Sequence, residues 1–248
     1  MPSYFVTGTD TGAGKTYATC VLLHYARAQG LTAAGIKAVA AGTDARGRNE
    51  DVEAIRAASC PALPDDLLNP YCFTPPIAPH IAAREAGTVI RFARIREALR
   101  QAERRADCVL VEGAGGFRIP LGPEGDSADL AVVLGCPVIL VVGMRLGAIN
   151  HALLTAEAIA ARGLALAGWI ANAIDPTMSR PEENFTTLET LIPAPCLGRI
   201  PHASSADPAN AALQTTIFLA TAPGGKRIHE GKDEAARSAP SCDIKRYE

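Results

Sequence analysis

Residues 8–16 read GTDTGAGKT, between an apolar strand pattern over 4–7 and a helical pattern over 15–29 that Gly30 ends. A glycine-rich turn in that place wraps backbone N–H groups around phosphates, and the helix N-terminus adds positive potential. Lys15 is then expected to reach the β- and γ-phosphates, and Thr16 to place its hydroxyl on Mg²⁺. The strict GxxxxGK[ST] spacing is not met: Thr9 stands where the first glycine belongs, and Gly8 comes one residue early. The loop is a variant.

Three further residues have types suited to phosphate chemistry. Glu112 opens VEGAGG at the end of an apolar run, and an acid there can hold Mg²⁺. Gly113, Gly115 and Gly116 let the backbone approach a ligand closely. Asp51 is another candidate oxygen ligand, although alone it would read as a solvated acid at a helix start. Lys37, in GIKAVAAG, ends a second strand pattern and points to the ligand-binding edge of an open sheet; alone it would read as a snorkelling edge lysine.

The elements that must carry these residues follow from the apolar pattern. Strands are expected over 4–7, 34–39, 108–112, 138–143, 167–172 and 196–200, and helices over 15–29, 91–105, 127–134, 150–162 and 182–191. Near-continuous apolar strands alternating with helices predict one doubly wound α/β domain, a mostly parallel sheet with helices on both faces, of the P-loop type. Residues 40–79 break the rhythm with Pro, Asn, Asp and Gly and only one helix, near 51–58; they read as a functional insertion. The domain is expected to span 1–222. Residues 223–248, with six Lys/Arg, five Asp/Glu and little apolar periodicity, are expected to form a disordered tail.

Composition narrows the classes of function. In 248 residues, 24 Lys+Arg stand against 26 Asp+Glu, a net charge of −2, which argues against a general polyanion or membrane-surface binder. Seven cysteines are scattered without CxxC spacing, and most of them lie in apolar runs and read as small buried hydrophobes rather than as disulfides or a zinc site. Without a signal-peptide or membrane-span pattern, the expectation is a soluble cytoplasmic protein.

Taken together, the loop GTDTGAGKT, the Lys37 segment, APH at 78–80, VEGAGG, LVVGMRLGAINHALLT at 140–155, GWIAN at 168–172 and IPAPCLGRIP at 192–201 resemble the dethiobiotin synthetase family. The likeness runs in order from about residue 4 to 212. The loop variant is that family's own GTDTxxGKT pattern. The resemblance implies an ATP- and Mg²⁺-dependent cyclo-ligase of biotin biosynthesis that closes the ureido ring of dethiobiotin from 7,8-diaminopelargonic acid and CO₂. A carbamate oxygen would attack the γ-phosphate, and the second amine would displace phosphate from the mixed anhydride.

The resemblance also implies roles by position. Gly12, Ala13, Gly14, Lys15, Thr16 and Tyr17 would bind ATP, with backbone groups of residues 12–15 cradling the phosphates. Thr16, Asp51 and Glu112 would bind Mg²⁺. Lys37, Lys15 and Thr11 would be catalytic, with Lys37 neutralising the carbamate and the transferring phosphoryl group. Gly113, Ala114 and Gly115 would line the phosphate crevice. Asn172 and Ala173, with Pro201, His202 and Ala203, would contact the base. Thr11, Lys37, Ala41 and Pro79 would meet the diamine substrate. Gly147, Ala148, Ile149 and Asn150 would offer helix N–H groups to its carboxylate, in the family across a homodimer interface.

Some positions depart from the family. Its KPVxSG segment has become KAVAAG, so Ala38 replaces the proline and Ala41 replaces a substrate-contacting serine, with Thr43 as a candidate substitute. The acid that some members place after the base-covering loop falls at Asp207 or Ala209. Other expectations on the same fold are a different ATP-dependent amide- or ring-forming ligase, a partitioning or division-site ATPase switch, and a non-catalytic nucleotide-binding module. The switch ATPases carry a lysine two residues after the first loop glycine, where this chain has Asp10.

Overall fold

The structure, a computed structural model, describes residues 2–202. The elements in chain order are β1 (Ser3–Gly8), α1 (Lys15–Ala28), β2 (Ala33–Lys37), β3 (Val39–Ala41), α2 (Glu50–Ala58), α3 (Asp65–Leu68), β4 (Tyr71–Phe73), α4 (Pro79–Glu85) and α5 (Phe92–Glu103). They continue with β5 (Cys108–Glu112), β6 (Pro120–Gly122), β7 (Gly125–Asp126), α6 (Ser127–Leu134), β8 (Val138–Met144), α7 (Ala148–Ala161), β9 (Leu166–Ala173), α8 (Pro181–Leu191) and β10 (Cys196–Ile200).

Six of these strands form one parallel sheet in the order β10-β9-β8-β1-β5-β2. They are the six strands expected from the apolar runs. β1, β2, β5 and β8 are buried along their whole length, which requires cover on both faces and explains why their sequences do not alternate. The helices fit this role. In α5, Phe92, Ile95, Ala98, Leu99 and Ala102 are buried at helical spacing, with charged residues between them. α2 begins at Asn49, whose side chain accepts the Val52 N–H, and Asp126 and Asp129 form a capping box on α6.

The topology places the ligand edge. β1 is central, with β5 on one side and β8 on the other, so the chain departs in opposite directions around it. The loop after β1 therefore opens at the crevice beyond the strands' carboxyl ends. Lys37 and Glu112 lie on neighbouring strands as direct register partners, and Val6 pairs with Glu112 on the other side. Paired residues of parallel strands project to the same face, so this register alone brings the lysine and the glutamate together.

Three expectations are corrected or bounded. The segment 40–79 is more ordered than its composition suggested: besides α2 it holds α3 and a separate two-stranded parallel sheet of β3 and β4. Three-residue strands are too short to show a period. The cysteines are not uniformly buried. Cys20, Cys108 and Cys136 are, and burial pushes their thiols up to about 12, but Cys60 and Cys196 are half-buried and Cys72 is exposed. Ala203, the end of the domain at 222 and the tail expected over 223–248 lie outside the described residues. Among the described residues, no helix is long and apolar enough to cross a membrane.

Candidate active site

The loop between β1 and α1 has the conformation of an anion cradle. Gly12 and Gly14 adopt φ values of 75° and 80°, and Gly14 caps α1 without any side-chain cap, leaving the first-turn N–H groups turned toward the crevice. Gly14 has a second reason to be glycine: a Cβ there would lie 2.0 Å from Asn172 Nδ2. Asn172, near the end of β9, donates that amide to the Ala13 carbonyl oxygen at 2.9 Å and so braces the loop from the neighbouring strand. Lys15 is buried, and its Nζ donates to the Asp10 carbonyl oxygen at 3.0 Å. Burial pulls its ammonium below the usual lysine range, with the charge of Glu112 opposing that shift.

Beside the loop stands a compact charged cluster. Lys37 Nζ lies 2.6 Å from Asp51 Oδ2 and 2.6 Å from Glu112 Oε1, and the Thr16 hydroxyl donates to the same Glu112 oxygen at 2.7 Å. Glu112 is fully buried, Lys37 is 5 % exposed, and the Asp51 side chain is 37 % exposed. Burial works against the Lys37 ammonium, but Glu112 and Asp51 outweigh it and lift it above the usual lysine value. Burial likewise pushes the Asp51 carboxyl up, yet Lys37 holds it below the ordinary aspartate value. Lys37 is therefore a fixed cation at neutral pH. It suits charge stabilisation rather than proton abstraction.

The donor set also fits a divalent cation. Glu112 Oε2 is buried without a hydrogen-bond partner, a costly state for a carboxylate oxygen unless a cation takes it. Glu112, Asp51 and the Thr16 hydroxyl are hard oxygen donors, and Mg²⁺ is typically held by one or two carboxylates with phosphate and water completing its shell. Among the described residues, no group of three or more His, Cys, Asp or Glu could hold a metal unaided.

The glycines after β5 close the floor of the crevice. A Cβ on Gly115 (φ 58°) would come within 3.3 Å of Thr11 Oγ1, and one on Gly116 within 3.7 Å of the Gly8 carbonyl oxygen. The two loops thus face each other, with exposed Thr11 between them, and Gly113, Ala114 and Gly115 lie where the crevice was expected. Tyr17, Asn172, Ala173, Pro201 and His202 come together as the lining of one cleft of about 240 Å³. His202 Nδ1 lies 3.1 Å from the Ala173 carbonyl oxygen, fixing one wall.

A larger cavity of about 620 Å³ opens beside the charged cluster, lined in part by Ala41, Gly42, Thr43, Asn49, Asp51 and Pro76. Pro79 does not line this cavity. It is buried as the first residue of α4, which packs on β3 and β4, and Pro76 lines the cavity instead. Gly147, Ala148, Ile149 and Asn150 form the first turn of α7. Gly147 sits at φ 93°, and no side chain caps the turn.

Several contributors were not singled out from sequence. Asn69 Nδ2 donates to the Lys37 carbonyl oxygen at 2.7 Å, and Asn49 Nδ2 to that of Gly42 at 2.7 Å; both hold the strand that follows Lys37. Asn49 directly precedes the acidic first turn of α2, so its capping role was available as a signal. Asp10 and Arg145 form an ion pair at 2.6 Å between residues far apart in the chain, which no local pattern reveals.

Comparison with known proteins agrees with this geometry. An AAA domain family model matches residues 2–210. The ATP-dependent dethiobiotin synthetase BioD of Aromatoleum aromaticum is 58% identical over 220 residues, covering 87% of this chain and 97% of that protein. The enzyme of the same name from Ralstonia nicotianae is 52% identical over 216 residues, covering 86% and 94%. Among solved structures, the MinC:MinD cell division protein complex of Aquifex aeolicus matches with a TM-score of 0.50 at 15% identity, over 82% of this chain and 83% of that one, a likeness of fold alone. At these identities and coverages, the chain belongs to the ATP-dependent dethiobiotin synthetase family.

Proposed function

We propose that this chain is itself an ATP- and Mg²⁺-dependent dethiobiotin synthetase, closing the ureido ring of dethiobiotin from 7,8-diaminopelargonic acid and CO₂. The observation that carries this reading is Lys37, held as a cation between Asp51 and Glu112 beside the phosphate loop, with Asp51 also lining the cavity that Ala41 and Thr43 line.

The chemistry divides among these residues. One substrate amine adds to CO₂ and releases a proton, giving a carbamate. Backbone groups of the phosphate loop and Lys15 hold the triphosphate, while Lys37 lies where the carbamate and the γ-phosphoryl group converge. Thr16, Asp51 and Glu112 would hold Mg²⁺, which would supply charge neutralisation on the phosphate oxygens. A carbamate oxygen bonds to the γ-phosphorus as the bond to ADP breaks. The second amine then attacks the carbamoyl carbon, phosphate leaves with its electron pair, and the amine's proton passes to solvent. The protein's part is positioning and charge stabilisation. Thr11, between the two glycine loops, is placed to orient the reacting oxygens.

The base belongs in the cleft of Tyr17, Asn172, Ala173, Pro201 and His202. The uncapped first turn of α7 suits the substrate carboxylate. Leu146, 94 % exposed just before that turn, and Leu154, 56 % exposed on its helix, support a homodimer joined there with each site completed by the partner's turn. Purified protein supplied with ATP, Mg²⁺, bicarbonate and the diamine is expected to form dethiobiotin, ADP and phosphate in equal amounts. ATP hydrolysis without dethiobiotin would refute the assignment.

A further inference from the structure

Asp10 is the phosphate-loop residue with no part in the chemistry above, yet it is tied in three directions. Its Oδ1 accepts the Thr11 N–H at 2.7 Å, its carbonyl oxygen accepts Lys15 Nζ at 3.0 Å, and its Oδ2 meets Arg145 Nη2 at 2.6 Å. Arg145 belongs to the turn between β8 and α7. Its own carbonyl oxygen accepts the N–H of Ala148, the first residue of α7, at 2.9 Å.

The neighbouring loop residues rest on the same support. The Thr9 N–H donates to the Val141 carbonyl oxygen at 3.0 Å, and Thr9 Oγ1 accepts the Gly143 N–H at 3.3 Å. A Cβ on Gly143 would approach Ala13 Cα to 3.0 Å, so the loop backbone lies directly on the end of β8. The phosphate loop and the start of α7 are thus one mechanical unit, and Asp10–Arg145 is its outer link. With the Asp10 and Arg145 side chains 48 % and 40 % exposed, the pair adds little to folding stability. Its position matters more. The guanidinium offsets a carboxylate that would otherwise repel incoming phosphates, and any shift of the Asp10 backbone when Lys15 turns to phosphate reaches Arg145 directly.

We propose that the Asp10–Arg145 pair is a positioning link through which nucleotide in one subunit's phosphate loop sets the first turn of α7, the turn that binds the substrate carboxylate in the partner subunit's site. The link rests on the dethiobiotin synthetase reading with shared sites. Arg145 is a positioning residue in it, acting through the turn at Gly147 and Ala148.

The test uses the full-length protein as wild type, Arg145→Ala and Arg145→Lys. Calorimetry gives the affinity for diaminopelargonate with and without a non-hydrolysable ATP analogue and Mg²⁺. In the wild type the analogue is expected to tighten the diamine by at least about fivefold, a typical size for coupled sites. In Arg145→Ala the ratio is expected to fall below about twofold, and Arg145→Lys, which keeps a cation in reach, to recover most of it. In turnover, Arg145→Ala raises the KM for diaminopelargonate while kcat stays within about twofold. The KM effect vanishes for a vicinal diamine of the same length without a carboxylate. An unchanged coupling ratio in Arg145→Ala, no coupling in the wild type, or an equal loss with both diamines overturns the link. Wild-type protein that makes no dethiobiotin overturns the functional reading instead, so the two failures are distinguishable.

Discussion

Lys37 shows how a single side chain gains a role from its surroundings. An ammonium 5 % exposed and 2.6 Å from each of two carboxylates keeps its charge, and the cavity beside it supplies the place for a substrate. Lys37→Gln is expected to lower turnover by at least about 100-fold, the scale of removing one preorganised charge, with ATP-analogue affinity retained in calorimetry. Turnover near the wild-type value would remove Lys37 from the chemistry. Ala41 allows the opposite experiment. It lines the cavity with a methyl group where the resemblance implied a serine hydroxyl, and the Thr43 hydroxyl nearby has no partner. Ala41→Ser is expected to lower the KM for the diamine about two- to tenfold, the worth of one hydrogen bond. An unchanged KM would mean that Thr43 already meets the substrate. At this scale the sequence was informative where chemistry and strand ends coincide. Lys37, Glu112, Thr16 and Asp51 were named from type and position, and the structure gathers them. Asp10–Arg145 and Pro76 were not, because their partners come from distant parts of the chain.

The elements hold these residues through close backbone approaches and short staples. Gly35, in the middle of β2, has no room for a methyl group: a Cβ would lie 2.4 Å from Ile55 Cγ2 on α2 and 3.2 Å from Leu23 Cδ1 on α1. Gly35→Ala is expected to destabilise the fold by about 1–3 kcal/mol in urea unfolding, the usual cost of overpacking, and to weaken the site by displacing Lys37 two residues on. β2 is also stapled to β5 at its start. Asp107 accepts the Thr32 hydroxyl at 2.6 Å and the Thr32 N–H at 3.0 Å, and these bonds hold its carboxyl below the ordinary aspartate value. A carboxyl lowered by folding contributes stability above its unfolded pKa and loses it as pH falls through the folded value. Asp107→Asn should therefore melt below the wild type at pH 7, and the gap should narrow as pH drops below about 4. A gap constant with pH would mean the charge is immaterial. The six-stranded sheet was legible because buried parallel strands are long apolar runs. The β3–β4 pair was not, since three residues carry no period, and Asn, Asp and Pro in that stretch also serve as caps and turns there.

At the scale of the whole molecule, the fold is shared with the MinC:MinD cell division protein complex of Aquifex aeolicus, so the fold alone does not select the function. What can distinguish function is what lines the crevice: Lys37 between Asp51 and Glu112, with Asp51 also lining a cavity of about 620 Å³. A homodimer with shared sites makes its own prediction. Lys37→Gln and Ala148→Asp, the latter placing a negative charge in the carboxylate-binding turn, should each be inactive alone. Mixed by co-expression, they should recover about a quarter of wild-type turnover, because half of the dimers hold one intact site. No recovery would place both functions within one subunit. The most direct measurement supplies ¹³C-bicarbonate, ATP, Mg²⁺ and diaminopelargonate to the purified protein and follows the product by mass spectrometry. The expected result is dethiobiotin carrying one heavy carbon at the ureido carbonyl, with ATP consumed only when the diamine is present. ATP hydrolysed at the same rate without the diamine, and no labelled ring, would contradict it.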